Sequence, residues 1–137
     1  MIHDLITDRT EADVIARNPK AFLGPDTLNR VESTVAELAE LGKQLDIRLD
    51  LATRTNWGVP GAFPDSFPTE SEMARYLGNV RKIRDGFGLV APLPVSMRRL
   101  THMGANNIEK ALALAYLRVE RTVPNFIFCG DVFAGEE

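Results

Sequence analysis

Apolar residues at spacings of three and four dominate the middle of the chain. Leu28, Val31, Val35, Leu38, Leu41 and Leu45 recur on one face, which predicts a helix over 26–44. Gly24 and Pro25 stop the preceding segment, Asp26 is placed to cap the new helix, and Gly42 comes near its end. Arg30, Glu32, Glu37, Glu40 and Lys43 fall mostly off the stripe. One apolar stripe cannot stand alone in water, so other elements must cover it.

Two further helices follow from the same period. Thr69 with Glu72 forms a capping box, and Met73, Tyr76, Leu77, Val80 and Ile83 line one face of a helix over 70–84. Ile108, Ala111, Leu112, Ala115, Tyr116 and Val119 do so over 105–121, where Leu114 and Leu117 widen the apolar surface and point to the most buried helix. Shorter helices are expected over 11–17, capped by Thr10 with Asp13, and from Ser96 to about Thr101, with Gly104 as the break.

The period changes to two at Ile47, Leu49 and Leu51, which alternate with Arg48 and Asp50 and predict a half-buried strand over 46–51. Residues 52–68 read as a long loop carrying Trp57, Phe63 and Phe67. Near the C-terminus, Phe126, Ile127, Phe128 and Cys129 precede Gly130-Asp131, then Val132 and Phe133, a hairpin pattern over 126–133. Such a hairpin cannot leave its edge unmanaged. It is expected to pair with 46–51 in its own chain or, as the alternative, to add to a neighbour's sheet edge, and to leave Phe126, Phe128, Val132 and Phe133 as candidate assembly contacts for a homo-oligomer or a tail partner. The fold class is therefore mainly α: one domain over 1–137, with three longer helices, short ones, and a minor β-hairpin or small sheet.

A faint repeat runs through the helices. Leu28-Asn29-Arg30-Val31-Glu32 and Ala105-Asn106-Asn107-Ile108-Glu109 both place Asn, a β-branched residue and Glu near a helix start, and Tyr76-Leu77-Gly78-Asn79-Val80-Arg81 is a looser copy. The repeat suggests two related helical halves, 1–66 and 67–137, about a pseudo-twofold axis. Asn29, Asn79, Asn106 and Asn107 lie beside the apolar stripes, where buried asparagines commonly bridge a helix to loop backbone.

Composition narrows the function. With 45% hydrophobic and 26% charged residues, 137 residues suffice for a buried core. A net charge of −3 has the wrong sign for a nonspecific nucleic-acid binder. The basic clusters Arg81-Lys82-Arg84 and Arg98-Arg99 read first as solvated helix faces and only secondarily as a phosphate site. The one cysteine, Cys129, forbids an intrachain disulfide; no apolar run approaches a membrane span and no signal peptide is visible, so cytoplasmic synthesis without membrane insertion is expected. His3 and His102 lack metal-ligand spacing, and no phosphate loop or cofactor motif occurs, so neither a metal nor a cofactor is expected. A Cys129–His102–Asp131 nucleophile is disfavoured because Cys129 sits in an apolar run. A non-enzyme is expected.

The motifs taken together carry a resemblance. They are Asp8-Arg9-Thr10 with Ala12-Asp13-Val14, Leu28-Asn29-Arg30-Val31-Glu32, Thr55-Asn56-Trp57, Arg75-Tyr76-Leu77 with Asn79-Val80, Leu93-Pro94, Leu100-Thr101, Asn107-Ile108-Glu109-Lys110, and the ending Cys129-Gly130-Asp131 with Ala134-Gly135-Glu136. The chain resembles, over nearly its whole length, small proteins encoded in the tail and fibre gene regions of phages and prophages of Firmicutes and gut bacteria. The resemblance implies a virion structural part in a tail, baseplate or fibre, with other virion proteins as partners, and brings no catalytic residues. Two alternatives stand beside it. One is a receptor- or glycan-binding module, with Trp57, Phe63 and Phe67 as a platform for a host surface glycan. The other is a cellular helical interaction domain.

Overall fold

The computed structural model describes residues 5–18, 24–57 and 69–122. Four helices occur there: α1 (Glu11–Ile15), α2 (Pro25–Gln44), α3 (Glu70–Gly86) and α4 (His102–Thr122). The three long helices pack pairwise around one core that contains Val31, Leu38, Tyr76, Val80, Leu112 and Val119. The mainly helical class is as the sequence predicts.

Cross-helix contacts fix the direction of the long helices. Arg30 meets Glu109 and Glu37 meets Tyr116, so α2 and α4 run the same way. Glu32 meets Arg75 near the start of α3, and Gly42 lies against Phe87 at its end, so α3 does too. Arg118, late in α4, donates to the Phe87 carbonyl. Parallel helices need connections that return their full length. A 20-residue helix is about 30 Å long, which an extended chain spans in roughly nine residues. Residues 46–57 and 88–100 make these return journeys as straps.

This topology corrects the expected strand. Burial alternates as predicted, with Ile47, Leu49 and Leu51 half-buried and Asp46, Arg48 and Asp50 exposed. Yet 46–51 belongs to no ladder, and no strand occurs among the described residues. Side chains from α3 fasten the strap instead: Lys82 donates to the Asp50 carbonyl, while Asn79 and Arg75 both donate to that of Ala52. Period two reports an extended chain, not its partner. The hairpin over 126–133, with Phe126, Phe128, Val132 and Phe133, lies outside the described residues.

Helix ends differ from the sequence reading in instructive ways. Gly24, not Asp26, is the N-cap of α2; Pro25 and Asp26 lie inside its first turn. Gly42 does not stop α2 but sits buried within it. The stop is a Schellman turn: Ile47 N–H bonds to Gly42 O, Asp46 N–H to Lys43 O, and Asp46 takes a φ of 62°. The same turn closes α1 through Arg17 and α3 through Gly88. The predicted helix over 96–101 is a turn in which Ser96 Oγ accepts from Arg98 N–H. Nor does Gly104 break α4, which begins at His102 with the Thr101 hydroxyl accepting from Gly104 N–H. Leu117 is 41% exposed and Leu114 half-buried, so α4 is not buried all round.

Candidate functional site

The most concentrated chemistry in the described chain is a pair of buried carboxylates. Glu32 on α2 and Glu109 on α4 are each 1% exposed. The apolar period left Glu32 off its stripe, and nothing in the spacing singled out Glu109. Position within the repeated Asn-x-x-Glu pattern was the signal that could have found both.

The two sites have the same construction. Glu32 Oε1 accepts from the Arg54 main-chain N–H at 3.0 Å and from Arg75 Nη1 at 2.7 Å. Its Oε2 accepts from the Trp57 indole N–H at 2.7 Å and from Arg75 Nη2 at 2.9 Å. Glu109 Oε1 accepts from the Ile6 main-chain N–H at 2.9 Å and from Arg30 Nε at 2.8 Å. Its Oε2 accepts from Arg9 Nη2 and from Arg30 Nη2. Each carboxylate thus takes one backbone donor, one side-chain donor three residues further along the same extended segment, and a forked arginine from a neighbouring helix. Hydrogen bonding to Glu109 raises the Arg30 pKa, and hydrogen bonding to Glu32 raises that of Arg75, in both cases against the opposing effect of burial.

One turn before each glutamate, an asparagine grips the same segment. Asn29 accepts from Trp57 N–H at 2.8 Å and donates to Trp57 O at 3.0 Å. Asn106 accepts from Arg9 N–H at 3.0 Å and donates to Arg9 O at 2.9 Å. Segments Ile6-Thr7-Asp8-Arg9 and Arg54-Thr55-Asn56-Trp57 are therefore equivalent: both have Thr at the second position and Asp or Asn at the third. The helical repeat recurs as a repeated clamp.

The sequence-predicted residues distribute as follows. Asn29, Asn79 and Asn106 bridge helices to extended backbone, and Asn107 is half-buried on α4. Trp57 is 2% exposed with the Arg54 guanidinium over its ring at 4.0 Å, so it presents no free face to a sugar. Phe63 and Phe67 lie outside the described residues, as do Cys129 and Asp131. Among the described residues no group of three or more His, Cys, Asp or Glu side chains could hold a metal ion. No described helix is long and apolar enough to cross a membrane.

Comparison with known family models, curated proteins and solved structures finds no match. The basic cluster Arg81-Lys82-Arg84 fastens straps: Arg81 donates to Pro94 O and Val95 O, Lys82 to Asp50 O, and Arg84 to Ala91 O. Pro92 and Pro94 have no N–H of their own, so the 88–100 strap is held largely by its carbonyls. A cleft of about 380 Å³ opens between α3 and residues 95–98, floored by Met73, Leu77 and Met97. Across its rim Arg98 pairs with Glu70 at 3.2 Å.

Proposed function

We propose that this chain is a non-enzymatic structural or assembly module of a phage or prophage particle, in its tail, baseplate or fibre. The supporting observation is where the family-like motifs fall. Arg9, Asn29, Arg30, Glu32, Trp57, Arg75, Asn79 and Glu109 belong to those motifs, and each of them takes part in a clamp or a strap fastening. A resemblance concentrated on the internal frame fits a part whose task is to hold a shape. A resemblance carried by an enzyme would be expected to settle on exposed reactive groups. Glu32 and Glu109 also suit a frame better than proton transfer, since every carboxylate oxygen already accepts two hydrogen bonds.

The test is mass spectrometry of particles purified by density gradient from an induced culture of the source strain. The chain is expected in the particle band at a copy number comparable with known tail proteins. Its presence in the lysate but absence from the band would overturn the reading.

A further inference from the structure

The two clamps differ in one respect that bears on assembly. Trp57 and its segment lie between α2 and α3 and are anchored by helices on both sides. Arg9 and its segment form an N-terminal arm joined to the bundle through α1, which buries none of its residues. Val14 and Ile15 on α1 are exposed. The arm is held by Asn106 and Glu109, which take the Ile6 N–H, both main-chain groups of Arg9, and its guanidinium.

We infer that the Asn106–Glu109 clamp is an exchangeable receptor for an extended x-Thr-Asp-Arg segment, filled in assemblies by the N-terminal arm of a second copy. The recognition is polar and local: a two-way main-chain grip, one backbone N–H three residues earlier, and two N–H donors of one guanidinium. Arg30 holds Glu109 through a fork that does not involve the arm, so the receptor stays built when the arm leaves. The second clamp shows that the device reads the main chain plus a donor side chain, since it accepts tryptophan where the first takes arginine. Withdrawal of the arm removes Leu5 and Ile6, both half-buried, no buried residue of α1, and the buried Arg9, whose ion pair with Glu109 is re-formed by the incoming copy. In dilute solution the tethered arm competes at its high effective concentration, so the free chain keeps its own. Where copies are packed side by side, exchange replaces each contact by an identical one, the low-cost route to a dimer or ring.

The experiment mixes two full-length variants. Arg9→Ala has a damaged arm and a whole clamp; Asn106→Ala has a whole arm and a damaged clamp. Each alone is expected to be monomeric by native mass spectrometry, and an equimolar mixture to give a heterodimer. Folded variants that remain monomers when mixed overturn the proposal. Should either variant fail to fold, the milder full-length variant Arg9→Lys, whose own arm grips the clamp less tightly, is titrated with a large excess of a peptide of residues 5–10. Shifts in the Asn106 side-chain amide NMR signals, absent with the Arg9→Ala peptide, are the supporting result. No shift, or the same shift with both peptides, overturns it. Neither arm depends on a phage particle, so this inference and the proposed function fail separately.

Discussion

Asn29 and Trp57 hold one another through both main-chain groups of the tryptophan, at 2.8 and 3.0 Å, across a gap of 28 residues in sequence. The ring of the tryptophan is buried in the core and reaches Glu32 with its one polar atom. Backbone register and side-chain burial are thus set at the same point, which locks the 46–57 strap against α2.

Replacing Trp57 by alanine is expected to cost about 3–5 kcal/mol, the range for a large aromatic removed from a core. Trp57→Phe keeps most of the volume but leaves Glu32 Oε2 one donor short, for an expected cost of about 1–3 kcal/mol. Urea unfolding measures both. The wild-type protein, whose one tryptophan this is, is expected to emit at short wavelength when folded. A red-shifted, readily quenched emission with little loss of stability on Trp57→Ala would restore the exposed-platform alternative.

The helices were legible because their apolar faces repeat at the helical period and their caps are common ones, as at Thr10 and Thr69. The Schellman turns at Arg17 and Asp46 were not, because neither carries the glycine that usually announces a left-handed residue. Parallel packing was also hidden, since apolar stripes specify which faces meet and not their direction. Asn29, Asn79 and Asn106, beside the stripes, bridge helix to extended backbone, while Asn107 is half-buried on α4. Their glutamates were missed because a buried carboxylate looks like a solvent-facing one until its arginine arrives from another helix, as Arg75 does for Glu32.

Tyr76 yields a prediction about base. Burial lifts its phenol well above the ordinary value, and the nearby carboxylates of Glu109 and Glu32 add to the effect. A phenol that holds its proton in the folded chain but releases it near pH 10 when unfolded favours folding below that pH. As pH rises past about 10 the unfolded state binds fewer protons than the folded state, so stability falls. Phenolate absorbance of Tyr76 is expected to appear only together with loss of helical signal, and Tyr76→Phe to remove that step. Reversible ionisation of Tyr76 near its ordinary pKa, in a chain that stays folded, would contradict this.

Two glycines separate packing from propensity. A methyl at Gly78, within α3, meets nothing within 4 Å, so Gly78→Ala is expected to stabilise the chain by up to about 1 kcal/mol. At Gly104 the same atom would come within 2.9 Å of Leu100 Cδ1, where the 88–100 strap turns into α4. Gly104→Ala is expected to lose the helix-propensity gain to that contact and to cost up to about 1 kcal/mol, since the tip of Leu100 has to move aside. Thermal melts of the two variants should move in opposite directions; a shift of the same sign for both would mean that the strap yields freely at that turn.

The carboxylate clamps make the most discriminating prediction. A simple buried ion pair can often be replaced by apolar residues at little cost, whereas removing one partner costs about 3–5 kcal/mol. Arg75→Leu alone strips Glu32 of its forked partner and is expected in that range. If Glu32 served only Arg75, the double change Glu32→Leu with Arg75→Leu would recover most of the loss. It also accepts from the Arg54 main-chain N–H and the Trp57 indole N–H, and the double change strands both donors in a buried place. Each stranded donor costs about 1–3 kcal/mol, so the double variant should remain at least about 2 kcal/mol less stable than wild type. Near-complete recovery, read from urea midpoints at unchanged slope, would mean that the 54–57 segment finds other partners and that Glu32 does not hold the strap.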